Sequence, residues 1–224
     1  MTITELALLR LLPPTTSTTP SLLSALANAK TVMESYTHHR FHILQQVEDP
    51  TLLYILGEWD SLTQHMEGFI PSATNQALLT SLHGIVEVVS LTHYDVPLTQ
   101  LPVPDAVEKK GRRGNGNGKG VVSIARHFVK AGQKGKFEEA FEANKGELQE
   151  YVAPGVCGWG WRVDREKEEE GQGEREEFVL FSPWESVDAH VGFGKTEAFE
   201  RYAGFREWID GADVKHARVL ELGV

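Results

Sequence analysis

One short pattern occurs twice in the chain, and it constrains the fold more than any other feature. Residues 52–65 read LLYILGEWDSLTQH and residues 177–190 read EFVLFSPWESVDAH. Aligned without a gap, Trp59 falls on Trp184, Asp60 on Glu185, Ser61 on Ser186 and His65 on His190, an offset of 125. Apolar residues precede the tryptophan in both copies, and Gly68-Phe69 and Gly192-Phe193 follow, one residue out of register. The chain holds only 5 tryptophans, so a shared W-[DE]-S-x-x-x-H inside matching strand-then-helix patterns points to an internal duplication. The length, 224 residues, suits two units of about 100 residues each.

Between the copies lies LTQLPVPDAVEKKGRRGNGNGK, residues 98–119. Proline comes first, then the basic run Lys109, Lys110, Arg112 and Arg113, then Gly-Asn alternation. Such a stretch buries too little apolar surface to offset its ordering entropy, so it reads as a flexible linker. The expected domains are therefore 1–97, the linker 98–119, and 120–224. The basic run fits a solvated tether, and it also fits a nuclear signal or an anion-binding patch. A second charged stretch, REKEEEGQGEREE at 165–177, reads as a surface loop between two strands.

Charge narrows the function classes. The net charge is −10, and both halves are acidic: residues 1–97 carry 3 basic and 9 acidic side chains, residues 120–224 carry 14 and 21. Neither offers the basic face that a nucleic-acid binder needs. No stretch approaches the roughly 18–20 apolar residues that span a bilayer, and Ile3–Leu12 reads poorly as a signal peptide. The single cysteine, Cys157, permits no internal disulfide. The cytosol is the expected location.

Each half reads strand, helix, strand, strand, helix, strand. In the first half these are Ile3–Leu12, a helix opened by Thr19-Pro20, His38–Val47, Leu52–Trp59, a helix capped by Asp60 or Ser61 and broken near Pro71, and Ile85–Val96. In the second they are Val121–Val129, Gln133–Tyr151, Val156–Asp164, Glu177–Trp184, a helix from Ser186 broken near Gly192, and Val214–Leu222. The order βαββαβ is the ferredoxin-like arrangement, an antiparallel sheet with helices on one face. Leu52–Leu56 and Phe178–Phe181 are continuous apolar runs, and Ile85–Leu91 nearly so, which predicts strands covered on both faces. The expected fold class is α+β: two ferredoxin-like repeats whose sheets pack face to face in a barrel-like core.

The strand order, the tryptophan closing the third strand and the helix carrying Ser and His resemble the dimeric α+β barrel superfamily. Within it the chain looks most like antibiotic-biosynthesis-monooxygenase-type domains in a tandem, fungal form. The resemblance implies an intramolecular pseudo-dimer, able to pair again. It also implies a cavity between sheet and helices for an aromatic small molecule. Relatives include oxygenases that act on aromatic polyketides without a cofactor, haem-degrading enzymes, cyclases and proteins without assigned catalysis. Haem degraders in this group use an asparagine on the first strand with a tryptophan and histidine on the second helix. Neither first strand here contains asparagine, and Trp208 has no matching histidine.

The candidate chemistry has a bland reading beside each functional one. His65 and His190 sit about one turn into their helices, where they can act as general bases or fill space beside the tryptophans. Trp59 and Trp184 can stack on a ligand or close the core. His38 and His42 share a strand face in this reading and His39 takes the other; they can contribute polar groups to a pocket or sit at the surface. No third metal ligand accompanies them. In GVCGWGWRVD, Trp159 and Trp161 share one face while Gly158, Gly160 and Arg162 share the other. Glycines on a strand face let another backbone or a ligand approach. Trp161 and Arg162 can line an aromatic pocket that holds an anion, or Trp161 can be core. Two functions stay open: a cofactor-free oxygenase or tailoring enzyme, and a binding or scaffold protein of the same fold.

Overall fold

The computed structural model describes residues 2–103, 120–164 and 176–223. The basic run of the expected linker, and nearly all of the acidic loop expected at 165–177, lie outside the described residues. The chain forms two compact units: the N-terminal part through Leu98 together with the segment from Ala217 onward, and Thr99–His216.

The first unit contains β1 (Ile3–Leu11), α1 (Pro20–Thr37), β2 (Phe41–Gln46), β3 (Leu52–Trp59), a π-helical turn (Gln64–Phe69), α2 (Ala73–Leu82) and β4 (Val86–Tyr94). Its strands lie in the order β4-β1-β3-β2, all antiparallel. Helix α1 starts on Pro20, whose fixed φ suits the first turn, and buries Leu22, Leu26, Ala29 and Met33 on one stripe. The predicted Thr19 cap differs in detail: its hydroxyl accepts from the Thr16 N–H rather than from the helix. The stripe packs on Ile3, Ala7, Leu9 and Leu11 of β1, with Phe69, Leu78 and Leu82 completing the core.

Two expectations for this unit are corrected. His38 is not on a strand: it ends α1 in the left-handed region at φ 61, its N–H returning to the Glu34 carbonyl. The face it was expected to share with His42 therefore does not exist. Strand β4 is not covered on both faces: Val88 and Val89 are 57% and 44% exposed. Its place at the sheet edge, with β1 as its neighbour, is the reason. In β3, by contrast, Leu53–Leu56 are buried, as the apolar run Leu52–Leu56 predicts, and burial continues through Trp59.

The second unit contains β5 (Val121–Val129), α3 (Lys134–Tyr151), β6 (Gly158–Trp161), β7 (Glu176–Trp184), α4 (Val187–Phe193), α5 (Glu197–Tyr202), a 3-10 segment (Ala203–Trp208) and β8, which runs Ile209–Val219. Its strand order is β8-β5-β7-β6. Phe137 and Phe141 of α3 pack against Phe178 of β7, with ring centroids 4.9 Å apart in each case. The end of β8 belongs to the first unit, where Ala217, Arg218 and Val219 pair with Gln46, Gln45 and Leu44 of β2.

The structure redraws two expected boundaries. The C-terminal domain does not extend to residue 224, because the segment from Ala217 packs with the first unit. The linker does not open at residue 98: Leu98, Leu101 and Val103 are buried. This segment explains one strand glycine. A Cβ on Gly158 would come within 2.6 Å of the Gln100 carbonyl oxygen and of the Leu101 side chain. Among the described residues no helix is long and apolar enough to cross a membrane.

Candidate functional site: two histidine pairs beside tryptophan

Each repeated motif builds the same local geometry. After β3, the Asp60 N–H donates to Gln64 Oε1 (2.8 Å) and the Gln64 N–H donates to Ser61 Oγ (3.1 Å). These bonds satisfy helix-start amides and set His65 one turn in. After β7, the Ala189 N–H donates to Ser186 Oγ at 3.1 Å and places His190 alike.

In the first unit the His65 ring lies flat on Trp59, centroids 3.9 Å apart at 7°. Its Nδ1 is hydrogen-bonded to His93 Nε2 of β4 at 2.7 Å. Its Nε2 lies 3.8 Å from Glu5 Oε2 of β1, and that same oxygen accepts the Trp59 indole N–H at 2.7 Å. Glu5 stands opposite Gly57 on one side and His93 on the other. All four side chains are sealed: Trp59 and His93 are 0% exposed, His65 2% and Glu5 4%. Burial pushes the Glu5 carboxyl up to about 7, against the opposing pulls of the Trp59 hydrogen bond and His93.

In the second unit His190 stacks on Trp184 at 4.3 Å and 13°, and its Nδ1 is 2.7 Å from His216 Nε2 of β8. His190 is only partly buried, unlike His65. Burial, and secondarily His216, lower it to about 4, so its ring is neutral at pH 7. The carboxylate is missing. Ser123 holds the strand position of Glu5, and Ser182 that of Gly57. The Trp184 indole N–H donates to Ser182 Oγ at 2.9 Å. Ser123 is 0% exposed, and among the described residues its Oγ has no hydrogen-bond partner.

The structure thus brings Trp59 to His65 and Trp184 to His190. The other candidates lie in different settings. His39 bonds Asp60 Oδ1 at 2.9 Å near the surface. His42 is buried on β2, opposite Leu56. Trp161 packs between Phe137 and Phe178 with the Lys134 ammonium 4.2 Å over its ring. Arg162 is held by Asp164 (2.8 Å) and Glu177 (3.4 Å), and Glu177 also takes Arg126. Its charge is matched within the protein.

Sequence reasoning missed Glu5, His93, His216 and Ser123. A signal existed for the histidines, since the last strand of each half carries one. Glu5 was visible only as one of two charges, with Arg10, in an otherwise largely apolar strand. Among the described residues no group of three His, Cys, Asp or Glu side chains is placed to hold a metal ion. An open groove of about 420 Å³ in the second unit is lined by Lys130, Lys136, Glu207 and Trp208 and none of the paired histidines.

No protein-family profile and no curated protein matches the chain in sequence. Solved structures do match in shape. A proposed monooxygenase from Fusobacterium nucleatum aligns with a TM-score of 0.65 at 13% identity, covering 98% of this chain and 93% of its own. An anthrone oxidase-like protein aligns at 0.59 and 13%, covering 98% and 92%. A mutant chlorite dismutase from Candidatus Nitrospira defluvii aligns at 0.58 and 11%, covering 99% and 92%. Likeness at this identity speaks to fold alone. The chain shares an α+β fold with these structures along nearly its whole length.

Proposed function

We propose that the chain is a cofactor-independent oxygenase, or a related tailoring enzyme, for an aromatic, polyketide-type small molecule, with His190 as its general base and His216 as the base's partner. The observation that carries this reading is the state of His190. It is neutral at pH 7, stacked on Trp184, partly open, and among the described residues hydrogen-bonded only through Nδ1. Its Nε2 is the atom left to accept a proton from an acidic C–H or O–H. An anion formed beside the new imidazolium raises the histidine's basicity at the moment of transfer. An anthrone-type methylene deprotonated there reacts with dioxygen to give a ketone, the second oxygen leaving as water with the two hydrogens. In the same reading the two units are ferredoxin-like copies paired as an intramolecular barrel, in the tandem manner of antibiotic-biosynthesis-monooxygenase-type proteins, and the cytosol is their compartment.

The solid packing of Trp59, His65, His93 and Glu5 favours a second reading for the first unit, a structural copy without substrate. The test is oxygen uptake with a panel of anthrones and hydroquinones. His190→Ala is expected to lose about 100-fold or more in rate. The wild-type kcat/KM is expected to stay level from pH 8 to about 5 and to fall only toward pH 4, where His190 takes up its proton. Full activity in His190→Ala rejects the assignment.

A further inference from the structure

The two units differ at two paired strand positions inside the corner they share, Glu5 and Gly57 in the first unit against Ser123 and Ser182 in the second, and the first of these differences leaves a group out. In the first unit a carboxylate from β1 sits between the indole N–H of Trp59 and the imidazole of His65. In the second unit the strand register is the same: Ser123 faces Ser182 two residues before Trp184, as Glu5 faces Gly57 two residues before Trp59. The side chain there is shorter by two carbons and one oxygen. The indole N–H has turned to Ser182, and the Ser123 hydroxyl is left wholly buried with no partner among the described residues. Buried hydroxyls are ordinarily paired, and one that is not marks a place where a partner belongs.

We infer that the Ser123–Trp184–His190 corner of the second unit receives the anionic oxygen of an aromatic ligand, a carboxylate or a phenolate, in the place that Glu5 fills from within in the first unit. The inference rests on the reading that the second unit holds the substrate site, and it names the recognition element there. The Ser123 hydroxyl donates to the ligand oxygen, and His190 Nε2, once it has taken up the ligand's proton, donates to it from the other side. Trp184, with Phe193 at 5.6 Å and Tyr151 at 6.0 Å, supplies aromatic surface for the ligand ring. The first unit, with its own carboxylate in place, binds none.

The test is calorimetric titration of the full chain with 1-naphthoate, 1-naphthol and naphthalene. One oxygen-bearing probe is expected to bind with a stoichiometry of one, and the better of the two says whether carboxylate or phenolate is preferred. Naphthalene is expected to bind at least about tenfold more weakly, the loss of one charge-assisted hydrogen bond. Ser123→Ala is expected to cost the oxygen-bearing probe about tenfold and naphthalene nothing. Ser123→Glu rebuilds the first unit's arrangement and is expected to abolish binding with no fall in Tm. Equal affinity for naphthalene, unchanged affinity in Ser123→Ala, or no saturable binding at millimolar probe overturns the inference. Should Ser123→Glu fail to fold, Ser123→Ala alone decides. Binding without oxygen uptake on any substrate leaves the receptor standing and sinks the oxygenase reading. Oxygen uptake that Ser123→Ala leaves untouched, in KM as well as kcat, does the reverse.

Discussion

Glu5 holds its carboxyl group in a place closed to water, against an indole N–H and beside two imidazoles. Its folded value, about 7, exceeds the ordinary 4.5. A raised carboxyl stabilises the fold fully below about 4.5, and that contribution is lost as pH rises through 7. His127, enclosed by Phe137, Phe178 and Phe205, and His190 have the opposite sign. Both are depressed from 6.5 to about 4, so their contribution is present above 6.5 and is lost as pH falls through 4. Glu5→Gln removes the first effect and keeps an acceptor for Trp59. Urea unfolding should show it gaining on the wild type between pH 5 and pH 8, by on the order of 2 kcal/mol. Parallel stability profiles would refute the buried-proton account. At this scale the sequence disclosed the tryptophans and helix histidines, because they recur. For His93 and His216 it offered only the recurrence of a histidine in each last strand, and it hid Glu5 and Ser123, which reach their corners through strand pairing across long separations that no local pattern encodes.

Elements were legible wherever local chemistry decides them. Pro20 opens α1, the reciprocal bonds around Ser61 and Gln64 start the helical turn after β3, and Gly68–Ile70 precede the break before α2. The misreadings came from tertiary context. His38 reads as strand but takes a left-handed helix end, and the valines of β4 read as core but line an edge. Close packing makes a sharp prediction at Gly57. A Cβ there would lie 2.0 Å from the Phe41 ring, which stands edge-on to Trp59. Gly57→Ala is expected to destabilise the protein by about 1–3 kcal/mol, and Phe41→Leu in the same chain to restore part of the loss. Thermal melts of the single and double variants check it; additive losses would show that the ring is not the obstacle.

On the scale of the whole molecule, a motif that occurs twice accompanies two units of like strand order, yet the boundary between them was not readable. The segment from Ala217 reads as the natural end of the second half. Its pairing with β2, the bond from the Leu220 N–H to the Ile43 carbonyl, and the packing of Leu220 and Leu222 on the first core place it elsewhere. Hydrogen bonds and apolar contacts so distant in sequence leave no periodic trace. A chain ended after His216 should therefore lose stability in the first unit before the second. Hydrogen exchange is expected to show faster exchange in β2 of the truncated chain, with β5 and β7 protected as in the full chain. Unchanged protection of β2 would mean that the returning segment adds nothing to the first unit.

That return has a consequence in time. A ribosome delivers the first unit's strands early, but the strand segment that adds to its sheet only after the whole of the second unit has been made. Until then β2 presents an open edge to the crowded surroundings of the exit tunnel, where unpaired strands invite wrong partners. Nascent chains stalled before Ala217 should accordingly be a preferred cargo for chaperones.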